Sequence, residues 1–200
     1  ARLGPDGFAV THGSNLAREP RDTLMIDARL APDAIAPAAS GIDAPALRAL
    51  GAAMRSLQMA GAMAALLDMT TKYALDRTQF GKPIGKFQAI QHNLAILGAH
   101  QAAAGAAATG AAEAVGHGLA MFPIAVGKIR TGEAAGLCAG LAHQVHGAIG
   151  FTYEHSLHYL TKRLLSWRNE FGNEAEWSLV LGRHLAAAGH DRLWSEITAA

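Results

Sequence analysis

Cysteine is almost absent: the chain has 200 residues and one Cys, Cys138. That excludes an intramolecular disulfide framework and any cysteine-based zinc spacing, and it fits a reducing compartment, the cytoplasm. An excess of one charge is missing too. Lys and Arg number 17 against 16 Asp and Glu, a formal net charge of +1, so no field argues for nucleic acid as a partner. A convincing membrane span is also lacking. The longest uncharged runs are Phe87 to Ala112 and Ala134 to Tyr153. The first carries Gln88, Gln91, His92, Asn93, His100 and Gln101 among alanines, which form helices well and anchor in lipid poorly. Both read as bundle helices. Ala1 follows neither an initiator Met nor a signal-peptide apolar region, so it reads as the interior of a longer chain.

What is present is a hydrophobic half, ample for a core. Up to Pro45 the chain holds Gly4, Pro5, Gly7, Gly13, Pro20, Pro32, Pro37 and Gly41, with apolar runs at Phe8–Val10 and Thr23–Ile26. This is strand-and-turn chemistry. From Pro45 no proline occurs until Pro83, and Leu47, Leu50, Met54, Leu57 and Gly61 recur at helical spacing, predicting a helix to about Arg77. Gly81, Pro83 and Gly85 break it. A second helix is expected from about Lys86 to Gly116, and a third from near Pro123 to His146, ended by Gly147 and Gly150. A short one follows over 156–167 and a last one over 173–188. The predicted fold is an all-α, up-and-down bundle of four or five helices over 41–200, preceded over 1–40 by the trailing strands of a β-domain.

One segment combines residues suited to a nucleotide. Arg77 offers a planar fork for a diphosphate, Gln79 a hydrogen bond to sugar or phosphate, and Phe80 and Phe87 faces for a flat heterocycle. On residue types alone the simpler alternative is that Arg77 and Lys82 cap the helix dipole and the phenylalanines are core.

The run Arg77-Thr78-Gln79-Phe80-Gly81-Lys82-Pro83-Ile84, with Phe87-Gln88-Ala89-Ile90-Gln91 behind it, resembles a signature of the acyl-CoA dehydrogenase family. A second run, Gln144-Val145-His146-Gly147-Ala148-Ile149-Gly150-Phe151-Thr152-Tyr153-Glu154, resembles that family's other C-terminal signature at the expected distance. The resemblance covers about 41–190, the C-terminal helical domain, with 1–40 similar to the end of the middle β-domain. It implies FAD held across a subunit interface. Arg77 would meet the pyrophosphate, Gln79 and Phe80 the adenosine half, and Phe87 and Ile90 would line the pocket. Gln144, Gly147 and Ala148 would meet the adenosine-diphosphate part. Ala148 departs from the family's glycine, which is tolerable at negative φ.

The resemblance further implies α,β-dehydrogenation of an acyl-CoA thioester, in which a carboxylate takes the α proton while a hydride passes to the flavin. The usual glutamate position falls on Phe171. The alternative position, about seven helical turns before Arg77, falls on Ala52. Neither can take a proton. Glu170, one residue away, is the remaining catalytic candidate, while Glu174 reads as a partner of the helix dipole. The missing base raises a second reading, a non-catalytic partner subunit of an α2β2 assembly that supplies FAD contacts and support. Homo- or hetero-oligomers, a dimer of dimers, are implied, with an electron-transferring flavoprotein or oxygen as acceptor. No metal site is expected: His143/His146 and His155/His158 repeat an i,i+3 spacing, but no Glu-x-x-His accompanies them. Trp167, Trp177 and Trp194 read as packing anchors, and Cys138 as inert.

Overall fold

Asp43 starts the longest helix. Its carboxylate accepts the backbone N–H of Ala46 at 2.8 Å, Pro45 occupies the first turn, and helix α1 then runs Ala44–Asp76. A side-chain oxygen at this position and a proline just inside are both helix-starting chemistry. The computed structural model describes residues 7–198. Gly4 and Pro5, in the expected turn-rich start, lie outside the described residues.

Helices α2 (Gln88–Gly116), α3 (Met121–His146), α4 (Leu157–Trp167), α5 (Glu174–Ala188) and a short α6 (Leu193–Thr198) follow. The first three form the body of the bundle, and alanine and glycine let them approach closely: a methyl group built on Gly127 of α3 would stand 2.6 Å from the Ala111 Cβ of α2. Met59, Met63, Leu66, Leu97, Cys138, Leu157 and Leu164 fill one core cluster. Ala49, Ala52, Ala53, Ala111, Ile124 and Trp177 fill a second, toward the other end of α1. By length and composition α1 alone among the described helices could cross a bilayer, and here it packs against α2, α3 and α4.

Ahead of the bundle, β1 (Phe8–Thr11) and β2 (Thr23–Ile26) pair antiparallel, with Phe8 opposite Ile26 and Thr11 opposite Thr23. Every residue of both strands is exposed.

Two expectations need correcting. The apolar stripe that marks α1 as a helix is not its packing face: Leu47, Met54 and Leu57 are exposed. The face that packs carries Ala49, Ala52, Ala53, Ser56, Met59 and Met63, because small side chains permit the close contact. Trp177 is buried and Trp167 packs against the core, but Trp194 on α6 is 74% exposed and anchors nothing.

Candidate functional site

At the C-terminal end of α1 the chain turns back on itself. Arg77 ends the helix by giving its N–H to the Tyr73 carbonyl at 2.9 Å. Strands β3 (Thr78–Gln79) and β4 (Lys82–Pro83) then form a minimal hairpin. Its two turn residues, Phe80 and Gly81, both have positive φ, 53° and 78°, the sign pattern of a type I′ turn. Glycine takes that conformation freely. Phenylalanine takes it at a cost of about 1–3 kcal/mol, with its ring 92% exposed. The ring meets Phe87 edge-on at 6.1 Å, and Lys82 Nζ lies 4.4 Å from the Phe87 ring centroid.

These residues rim a concavity of about 500 Å³, lined by Tyr73, Arg77, Gln79, Phe80, Ile84, Phe87, Ala89, Ile90, Val145 and His146. Five of the residues that the sequence assigns to a nucleotide therefore share one wall: Arg77, Gln79, Phe80, Phe87 and Ile90. Arg77 pairs with no carboxylate among the described residues, and Gln79 Nε2 donates only to its neighbour's carbonyl, Thr78 O, at 2.8 Å. At the back, Tyr73 stacks on His146 at 4.3 Å and donates to the His146 carbonyl at 3.3 Å. His146 Nδ1 lies 2.8 Å from the Ala142 carbonyl, so Nδ1 carries the proton. Nε2 is left as a buried acceptor without a partner. Burial pushes the pKa of His146 down, chiefly by desolvation.

Gln144 and Gly147 lie on the other side of the same helix end, in a second concavity of about 570 Å³ with Gly136, Ala139, Gly140, His143, Phe151 and Leu165. Gly147 ends α3 with φ 64°. Ala148 is exposed, lies outside that lining, and is not among the residues of positive φ, so its methyl group is accommodated. The second signature thus borders both hollows: Val145 and His146 line the first, and Gln144, Gly147 and Phe151 the second.

The third feature is the turn between α4 and α5. Phe171 has φ 57° and Gly172 φ 99°. The Phe171 ring sits on α1: a methyl group built on Gly51 would stand 2.2 Å from its Cδ1. Ala52, the other position singled out for a base, is the next residue of α1 and is fully buried in the core. Glu170 points elsewhere. It accepts from Arg21 Nε at 2.9 Å and Asn15 Nδ2 at 3.4 Å, and pairs with Arg55 at 2.5 Å. With Glu19, which accepts from Trp167 Nε1 at 2.9 Å, it clasps the N-terminal segment to α1 and α4. Glu174 opens α5 and accepts from Arg168 Nε at 2.6 Å, in the first turn of its helix as expected. Cys138 is buried, its thiol pushed up to about 11 by desolvation, an unreactive environment.

One buried charged residue is missed by the sequence reading. Lys128 is fully buried, and its ammonium donates to the carbonyls of Arg168 at 2.6 Å and Gly172 at 2.7 Å. Its isolation in an otherwise small and apolar stretch, Ile124-Ala125-Val126-Gly127-Lys128-Ile129, is the signal that could have found it.

The family model described as the acyl-CoA dehydrogenase C-terminal domain matches residues 48–185, and the chain belongs to that family of FAD-dependent oxidoreductases. It is 31% identical over 167 residues to acyl-CoA dehydrogenase IpdE2 of Mycolicibacterium smegmatis, covering 80% of this chain and 50% of that protein. Its fold is similar to the ChsE4-ChsE5 complex of Mycobacterium tuberculosis, with a TM-score of 0.83 at 25% identity, over 92% of this chain and 50% of that one. Glutaryl-CoA dehydrogenase of Mycobacterium smegmatis gives a TM-score of 0.80 at 26% identity, over 92% and 49%. The chain spans about half the length of these relatives.

Proposed function

We propose that this chain is the bundle half of an acyl-CoA dehydrogenase that acts in α,β-dehydrogenation of an acyl-CoA thioester, with FAD held across a subunit boundary. The observation that carries the reading is Arg77, a guanidinium with no carboxylate partner among the described residues, beside the exposed Phe80 ring of a strained hairpin and the half-buried Phe87 ring. A large ring held in solvent at positive φ is a cost that a bound dinucleotide offsets, and a free guanidinium fork beside it suits a diphosphate. The residues present fit that group: Arg77 takes the pyrophosphate, Gln79, Phe80, Phe87 and Ile90 receive the adenosine half, and Gln144, Gly147 and Ala148 meet a second stretch of the diphosphate. Both hollows are open at the surface of the chain, which suits completion by a neighbouring subunit. FAD, when bound, supplies the acceptor for the hydride leaving the β carbon.

The assembly is then at least a dimer, and by resemblance a dimer of dimers. It works in the cytoplasm, with an electron-transferring flavoprotein or oxygen as electron acceptor. Residues 7–40 are the tail of a β-domain, a reading supported by the β1–β2 pair, exposed on both faces.

One observation favours a second reading, that a sister chain supplies the base. Positions 171 and 52 carry Phe and Ala, and Glu170 is engaged by two guanidinium groups, whereas a base needs an oxygen free to reach its proton. In that reading this chain belongs to an α2β2 enzyme.

The test is Arg77→Ala in the purified full-length assembly. Loss of a charge-assisted contact of about 1.5–3 kcal/mol weakens FAD retention about tenfold or more, with bundle stability unchanged. Unaltered flavin affinity would remove the site assignment.

A further inference from the structure

Lys128 spends its charge on backbone. A fully buried lysine is rare without a carboxylate in contact, yet here both bonds from the ammonium go to carbonyls, Arg168 O and Gly172 O. Those two carbonyls bracket the turn between α4 and α5. A third carbonyl of the same turn, Phe171 O, accepts from Trp177 Nε1 at 2.9 Å and from Arg48 Nε at 3.4 Å. Arg48 is itself held by Glu176 at 2.5 Å and lies over the Trp177 ring at 5.2 Å. Three elements, α1, α3 and α5, thus each send a donor into one short turn.

The turn needs that restraint. Phe171 and Gly172 both have positive φ, and a bulky non-glycine residue pays for that conformation wherever nothing holds it. Gly172 also leaves no room for a side chain: a methyl group there would stand 2.4 Å from Arg48 Nη2 and 2.8 Å from Trp177 Nε1. In this geometry the Phe171 ring lies against α1 at Gly51. The charges around Lys128 do not explain its burial. Glu174, Glu170 and Glu176 favour its charged form and Arg168 opposes it, but desolvation outweighs them all and lowers its pKa to about 8. Burial is tolerated because the carbonyls replace water.

We propose that Lys128 is the positioning residue of this site: through the Arg168 and Gly172 carbonyls it fixes the left-handed turn that delivers side chain 171 to α1 at Gly51. This deepens the proposed function, since it rests on side chain 171 facing the acyl group. Lys128 touches no substrate in this account. It sets where another side chain stands, and it would serve a glutamate at 171 as it serves Phe171.

The experiment uses the full-length assembly with 4-fluorophenylalanine at position 171. Lys128→Met and Lys128→Arg are compared with Leu97→Ala, a core truncation remote from the turn that controls for lost stability. Fluorine NMR reads side chain 171, hydrogen exchange reads the amides of 169–173, and flavin absorbance reads cofactor retention. Lys128→Met should move or split the fluorine resonance and speed exchange across the turn at least tenfold while FAD stays bound. Lys128→Arg, which keeps a charged donor, should restore most of the protection; Leu97→Ala should leave the resonance in place. An unmoved resonance and unchanged turn exchange in Lys128→Met, or the same displacement in Leu97→Ala, would overturn the assignment. Absence of flavin from the wild-type assembly would instead overturn the proposed function and leave the turn result standing.

Discussion

Phe171 and Gly51 are matched: the ring of one occupies the space that any side chain at the other would need, with 2.2 Å between a methyl group built on Gly51 and Phe171 Cδ1. The pairing joins the α4–α5 turn to α1 at the place where a dehydrogenase of this family is expected to keep its base.

The match sets a double-mutant cycle. Gly51→Ala alone should lower stability by about 1–3 kcal/mol, because overpacking outweighs the gain of about 1 kcal/mol from replacing a helical glycine. In a Phe171→Ala background the same change should stabilise by up to about 1 kcal/mol. Urea unfolding of the four proteins gives the coupling, and a coupling near zero would show that the two do not share that space.

Glu170 separates a clasp from a base. With a 19% exposed side chain facing Arg21 and Arg55, Glu170→Gln leaves two guanidinium groups short of their counter-charge and should cost about 2 kcal/mol or more. Flavin binding should be kept. A variant of unchanged stability that loses acyl-CoA-dependent flavin bleaching would make Glu170 the base after all.

Lys128 gives a pH signature. Its pKa falls from the ordinary 10.5 to about 8 in the fold, so between these values the unfolded chain binds a proton that the folded chain does not. Stability therefore rises with pH across that window. The penalty is fully present below about pH 8, and its removal contributes about 3 kcal/mol at most. Urea unfolding at pH 7.5 and 9.5 should show the rise in the wild type and its loss in Lys128→Met; equal slopes would contradict the shift.

The long helices were legible because their boundaries are chemical: Asp43 and Pro45 open α1, Gly147 closes α3, and Asn173 caps α5 by accepting the Glu176 N–H at 3.0 Å. The 77–83 segment read only as a break, since strands of two residues carry no periodicity. α6 is six residues long and equally silent. The nucleotide-facing residues on both sides of the α3 end could be named from their motifs, but not their division between two hollows, which depends on how α3 meets α1. The surroundings of Glu170 were not legible for a different reason. Its partner Arg21 lies 149 residues away in sequence, and no local pattern announces a contact at that distance. Lys128 carries a weak signal, a lone charge in a small apolar stretch, but its partners, the Arg168 and Gly172 carbonyls, lie 40 and 44 residues away.

The most direct measurement is native mass spectrometry of the full-length protein, purified with the products of its neighbouring genes, beside its visible spectrum. The account predicts an oligomer carrying FAD, with a sister chain present if the base resides there. A flavin-free monomer would contradict it.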